Sequence, residues 1–205
     1  MKNIFLCSSF SEVASIFETF AGVENKGKII TFIATASLVE EVTFYVDTAK
    51  KTFEKMGFII DELEISTAKY SEIKEKIQQN DFIYISGGNT FFLLQELKKS
   101  GADTIIIEEI KKGKTYIGES AGSMVLSSNI EYVTLMDDVA KAPELQSFVG
   151  LDVIDFYPVP HYTNFPFVEV VETMISEFGK KIDLCPITNS QAIIIHEENK
   201  EIKTV

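Results

Sequence analysis

Ser120 lies in the stretch Tyr116-Ile-Gly-Glu-Ser-Ala-Gly-Ser-Met-Val-Leu126, with Gly118 and Gly122 two residues away on either side. A Gly-x-Ser-x-Gly spacing suits a sharp turn from a strand into a helix, because the glycines leave room for a strained backbone that holds the hydroxyl in the open. The apolar residues before Gly118 and the run Met124–Leu126 after Gly122 supply that strand and helix. The same serine would serve equally as a helix cap at a tight turn. A hydroxyl used as a nucleophile requires more: a base to take its proton, a group that orients the base, and donors for the oxyanion. The amide of Ala121, the residue after the hydroxyl, is the natural first donor.

The chain has two histidines. His196 closes the run Gln-Ala-Ile-Ile-Ile-His and reads as a solvent-facing strand end. His161 follows a strand-like run and sits between Pro160, which fixes the backbone before it, and Tyr162. The order Ser120 then His161 makes it the candidate base. For the orienting acid, Asp137 and Asp138 lie between the two, although an acidic pair also suits a solvated turn. Glu119 is nearer in sequence, but strand alternation aims it away from the Ser120 hydroxyl. A second glycine turn, Ser86-Gly-Gly-Asn-Thr90, offers the Gly88 amide as a second oxyanion donor, with Gly87 supporting the turn and Asn89 or Thr90 capping the helix that follows. It lacks the lysine and glycine spacing of a phosphate loop. Two distant cysteines and two distant histidines form no metal-ligand cluster, so neither metal nor cofactor is expected.

These residues need a scaffold that brings the two glycine turns and His161 together. The runs NIFLCS, KIITFIAT, FIIDELEI, DFIYISG and TYIGES read as strands, separated by helical patterns. In the helix expected over Val39–Met56, Val42, Tyr45, Val46, Ala49, Phe53 and Met56 form one apolar stripe, and Gly57 follows as a left-handed cap. Such alternation predicts an α/β fold: a mostly parallel sheet covered by helices on both faces, with the chemistry beyond the carboxyl ends of the strands. Both glycine turns fall there. After Ser128 the segment NIEYVTLMDD reads as a hairpin. A helix is expected at about Phe165–Phe178, then strands IDLCPIT, QAIIIHE and EIKTV, the last two joined by a Glu-Asn-Lys turn. One domain over residues 1–205 accommodates all of this.

The net charge of −12 argues against nucleic acid or an anionic membrane as a partner. All nineteen basic side chains are lysine, so bidentate recognition of a carboxylate by arginine is excluded. Cys7 and Cys185, each within an apolar run, fit buried thiols in a reducing compartment. The start MKNIFLCSSF is too short for a signal peptide's apolar region, and no run is long enough to span a membrane, so a cytoplasmic location is expected.

Taken together, SGGNTFFLLQEL, YIGESAGSMVL and PHYTNF resemble the peptidase E family, cytoplasmic serine peptidases also called aspartyl dipeptidases. The resemblance implies a flavodoxin-like fold similar to class I glutamine amidotransferases, with serine in place of their cysteine nucleophile. It implies Ser120 as nucleophile, His161 as base, and the Gly88 and Ala121 amides as oxyanion hole, acting on small peptides and leaving room for a homodimer. The family's aspartate after the elbow does not align cleanly: Leu135 falls near its place, and Asp138 is preferred as the acid, with Asp137 close behind. Family members that cleave after an N-terminal aspartate bind its side chain with arginine, which this chain lacks. Two other readings stay open, a serine hydrolase for a different amide or ester and a non-catalytic binding protein on the same fold.

Overall fold

The computed structural model describes residues 2–22 and 26–205. Its centre is a seven-stranded sheet with the order β3-β2-β4-β5-β1-β8-β9. Strands β1 (Asn3–Cys7), β2 (Ile29–Ile33), β3 (Ile59–Glu62), β4 (Phe82–Ile85) and β5 (Thr115–Glu119) run parallel. Antiparallel to β1 lies β8 (Gln191–His196), and β9 (Asn199–Thr204) pairs with β8 at the edge. The helices are α1 (Ala14–Ala21), α2 (Phe44–Lys55), α3 (Tyr70–Gln79), α4 (Thr90–Ser100), α5 (Ala102–Lys111), the single turn α6 (Ala121–Met124) and α7 (Val168–Phe178). A two-stranded parallel sheet, β6 (Tyr157–Val159) with β7 (Leu184–Pro186), lies apart from the main one.

Strand alternation sorts the apolar residues into two chemically different cores. One face carries Ile4, Leu6, Ile83, Ile85, Ile193 and Ile195 into an aliphatic core shared with α3, α4, α5 and α7. The other carries Phe5, Phe32, Phe82 and Tyr84 into an aromatic core with α1 and α2, in which Phe10 stacks on Phe53 at 4.0 Å. Both faces of the central strands are therefore buried, which is why those strands read as nearly unbroken apolar runs. The edges are polar instead: β3 ends in Asp61 and Glu62, and every residue of β9 is exposed. Such edges discourage pairing with a further strand.

The five expected parallel strands are present. The helix expected over Val39–Met56 begins later, at Phe44, and a 3-10 turn Thr35–Val39 precedes it. Val46, Ala49 and Phe53 of its stripe are buried, Val42 lies outside the helix and is exposed, and Gly57 takes φ +88° just past its end. The expected hairpin after Ser128 is replaced by two 3-10 turns, Glu131–Leu135 and Val139–Lys141. Its apolar residues Ile130, Tyr132 and Val133 pack into the aliphatic core, and local bonds such as Val133 N to Ile130 O satisfy the backbone. The β8–β9 turn falls on Glu197 and Glu198 rather than Glu-Asn-Lys, since His196 pairs with Asn199. Among the described residues no helix is long and apolar enough to cross a membrane, and both cysteines are free and buried.

Candidate active site

The elbow is built by close approach. A β-carbon on Gly122 would overlap the carbonyl of Ile85 in β4, and one on Gly118 would meet Gly122 O at 2.5 Å. Only glycine lets the chain leaving β5 fold back against its own strand and the next one. The Tyr116 hydroxyl donates to Gly122 O at 2.6 Å and the Ser123 hydroxyl to Gly118 O at 2.8 Å, fastening the turn from within. Between the glycines Ser120 sits at φ 49°, ψ −105°, held by its amide donating to Cys7 O at 2.8 Å. A non-glycine residue in such a conformation stores about 1–3 kcal/mol of strain. The Ser120 side chain makes no capping bond to α6, so the cap reading of the motif does not apply.

The Ser120 hydroxyl instead meets His161, Oγ to Nε2, at 3.0 Å. His161 follows β6 and adopts φ 63°. The Ser8 hydroxyl, just past β1, accepts the His161 amide at 3.0 Å and lies 3.2 Å from Ile187 O and 3.1 Å from Thr188 O. Phe167 stacks on the imidazole at 4.5 Å, covering one ring face. Burial lowers the imidazole's pKa below its ordinary 6.5, while a hydrogen bond with Asn189 and the Glu12 carboxylate pull it the other way.

The other ring nitrogen, Nδ1, lies 2.9 Å from Asn189 Oδ1. This corrects the expectation that Asp138, or Asp137, orients the imidazole. Asp138 caps the 3-10 turn Val139–Lys141, its carboxylate accepting from Ala140 N at 2.9 Å. Asp137 accepts from Thr90 N at 2.7 Å at the start of α4, where burial pushes its pKa up to about 6. Both carboxylates serve helix and turn starts, where unpaired amides want an acceptor. Glu119 points away as expected: it is buried beneath the elbow, accepting from Phe10 N at 2.8 Å and bonded to the Tyr84 hydroxyl, and burial raises its pKa to about 7. His196 ends β8, exposed, its ring 5.9 Å from that of Phe20.

The second glycine turn lies against the hydroxyl-bearing residue. A β-carbon on Gly87 would be 3.3 Å from Ser120 Cβ, and one on Gly88, at φ +131°, would overlap Ala36 O. Asn89 caps α4, its side chain accepting from Phe92 N at 2.9 Å and donating to Asp138 O at 3.1 Å. The Ala121 amide, first in α6, has no acceptor within that turn of helix. Geometrically the site holds a hydroxyl next to an imidazole with a fixed second partner, beside two backbone turns able to present amides. That arrangement can pass a proton from hydroxyl to ring and receive an anion. No group of three or more histidine, cysteine or acidic residues able to hold a metal occurs among the described residues.

Sequence reasoning overlooked Ser8, Glu12, Asn164, Phe167 and Asn189. Asn164 accepts the Asn189 amide at 2.9 Å, and the Asn189 side-chain amide donates to Glu12 at 3.1 Å. The one usable signal was Thr188-Asn-Ser190 between two strands, on the same side of the sheet as the loops after β1 and β5 because β8 runs antiparallel to β1.

Comparisons with known proteins agree with this architecture. The model of peptidase family S51 matches residues 4–203. An uncharacterized peptidase of Pasteurella multocida is 52% identical over 204 residues, covering 99% of this chain and 98% of that protein. One of Listeria monocytogenes is 50% identical over 204 residues, covering 100% of this chain and 98% of its own length. The crystal structure of a "Putative Peptidase E Protein" from Listeria monocytogenes superposes with a TM-score of 0.96 at 48% identity, covering 100% of this chain and 99% of that one. With a family match across the elbow, the histidine and both glycine turns, the chain belongs to peptidase family S51 and is a peptidase.

Proposed function

We propose that the protein is a serine-type exopeptidase acting on short peptides with a free amino terminus. The observation that carries this reading is the 3.0 Å contact of Ser120 Oγ with His161 Nε2 at a strained elbow. Ser120 attacks the scissile carbonyl while His161 takes the hydroxyl proton at Nε2. The amides of Gly88 and Ala121 receive the oxyanion, and the imidazolium returns the proton to the leaving amine as the peptide bond breaks. Water, deprotonated by the same ring, then releases the acyl group. Asn189 Oδ1 accepts from Nδ1–H, which leaves Nε2 as the bare nitrogen in the resting state.

The substrate's first side chain is apolar or neutral in this reading, rather than aspartate. The chain has no arginine, and the loop following β2 carries Glu40 and Glu41 with no lysine between residues 34 and 43. Burial raises the pKa of Tyr45 and of Asp137, and the Glu40 carboxylate adds to both shifts. These carboxylates suit the α-ammonium of a peptide and repel an acidic side chain. Apolar surface is also at hand: Val42 is 60% exposed, Phe44 71% and Phe165 93%, and the segment carrying the first two is joined to the glycine turn by Asn89 N bonding Ala36 O at 2.9 Å.

The test is turnover of aminoacyl p-nitroanilides bearing leucine, phenylalanine, alanine or aspartate, with and without N-acetylation. Release is expected from the free-amine apolar substrates, slower release from the aspartyl one and none from acetylated forms, with Ser120→Ala inactive. Equal turnover by the alanine variant would reject the assignment.

A further inference from the structure

The site holds a carboxylate, though not against the imidazole. Asn189 Oδ1 faces His161 Nδ1 at 2.9 Å, and the same side chain's Nδ2 donates to Glu12 Oε1 at 3.1 Å. The orientation of the amide is dictated by its neighbours. A carboxylate only accepts, so it takes the NH2 end, which leaves the carbonyl oxygen for the ring and forces the proton onto Nδ1. The Asn189 backbone is fixed independently, its amide donating to Asn164 Oδ1 at 2.9 Å, and Glu12 rides on the 3-10 turn Phe10–Val13, whose first amide is anchored on Glu119 at 2.8 Å.

We infer that Asn189 and Glu12 together replace the single orienting acid of a serine–histidine site, Asn189 setting the tautomer by contact and Glu12 acting through it as a positioning residue that supplies the negative charge. When His161 accepts the Ser120 proton at Nε2, both ring nitrogens are protonated and the Nδ1 proton stays where it was. The amide takes no proton. Its dipole, aligned between ring and carboxylate, conveys part of the Glu12 charge to the imidazolium. The other groups against the ring, Ser120, Asn189 and Phe167, are uncharged, so Glu12 is the anion that acts on it. Because Glu12 is exposed, its effect is modest and screened by salt. The inference rests on the serine–histidine reading of the site, but its test does not require turnover.

With only two histidines in the chain, the His161 pKa can be followed directly by NMR in the folded protein. Three variants separate charge from shape. Glu12→Gln keeps an acceptor for Asn189 and removes the charge; the His161 pKa is expected to fall, and kcat/KM to drop about two- to fivefold at low salt with KM little changed, the scale of an exposed ionic contact. Both effects should shrink at high salt. The exchange variant Glu12→Gln/Asn189→Asp preserves the chain of hydrogen bonds but moves the carboxylate against the ring, and its His161 pKa is expected to rise above that of the unmodified protein. Asn189→Leu, which removes the contact, should lose Nδ1 protonation in the neutral imidazole by nitrogen chemical shift. A His161 pKa indifferent to Glu12→Gln, or no higher in the exchange variant than in the unmodified chain, overturns the inference. Intact pKa responses with no peptide turnover would leave the inference standing and count against the peptidase mechanism alone.

Discussion

The carboxyl of Glu119, the residue before the elbow serine, accepts the backbone amide of Phe10 at 2.8 Å. It thereby ties β5 to the 3-10 turn that carries Glu12, and the Tyr84 hydroxyl closes the other side of the same carboxyl. Burial raises the Glu119 pKa from 4.5 to about 7. A carboxyl whose folded pKa is raised holds a proton that the unfolded chain gives up, so its favourable contribution is complete below pH 4.5 and fades as pH climbs to about 7. The span corresponds to on the order of 3 kcal/mol. Glu119→Gln should flatten this part of the stability-against-pH curve, checked by urea unfolding between pH 4.5 and 8. An unchanged slope would show that Glu119 titrates normally.

The base should set the acid limb of the rate profile. Burial holds His161 below its ordinary 6.5, and the ring must be neutral to take a proton. The kcat/KM profile is therefore expected to rise with pH to a plateau through an apparent pKa under 6.5, matching the value from His161 NMR in the free enzyme. A limb above 7 would assign the controlling group elsewhere.

Gly88 is irreplaceable for two separate reasons. Its φ of +131° strains any other residue, and an added β-carbon would overlap the Ala36 carbonyl. On the proposed role of its amide as an oxyanion donor, Gly88→Ala, which pushes that amide out of place, is expected to lower the Tm and to cut kcat by about a hundredfold or more. Asn89→Ala, which removes the α4 cap and the bond to Asp138 O, should cost about 1–2 kcal/mol of stability and much less activity.

Asp137 and Asp138 should matter to stability and not to the base. Asp137→Ala strands the Thr90 amide, a loss of about 1–3 kcal/mol. Asp138→Ala removes the cap of an exposed turn and should cost about 1 kcal/mol or less. Neither is expected to move the His161 pKa. A shift in Asp138→Ala would reinstate that residue as the orienting acid.

The parts of this molecule written locally were legible in its sequence. Ser120 between its glycines, the strand runs with both faces buried, the Asn89 cap and the Gly57 helix end each depend on residues within a few positions of one another. His161 could be singled out because the chain offers one alternative, at an exposed strand end. The orienter was not legible, because Asn189, Glu12 and His161 converge only when antiparallel β8 returns beside β1, and an asparagine in a turn carries no mark of that use. Asp137 and Asp138 misled because acidic residues after an elbow suit a triad and a helix start equally well. The hairpin expected after Ser128 failed for a similar reason: alternation over a few residues does not distinguish a strand from 3-10 turns whose apolar side chains are drawn into a core.

The most direct test is the reaction of the folded protein with an alkyl fluorophosphonate at neutral pH, followed by intact mass and peptide mapping. A single adduct on Ser120 is predicted, absent in Ser120→Ala and formed at least a hundredfold more slowly in His161→Ala, since an unactivated serine is a poor nucleophile. No adduct on the native protein, or equal labelling rates with and without His161, would contradict the account.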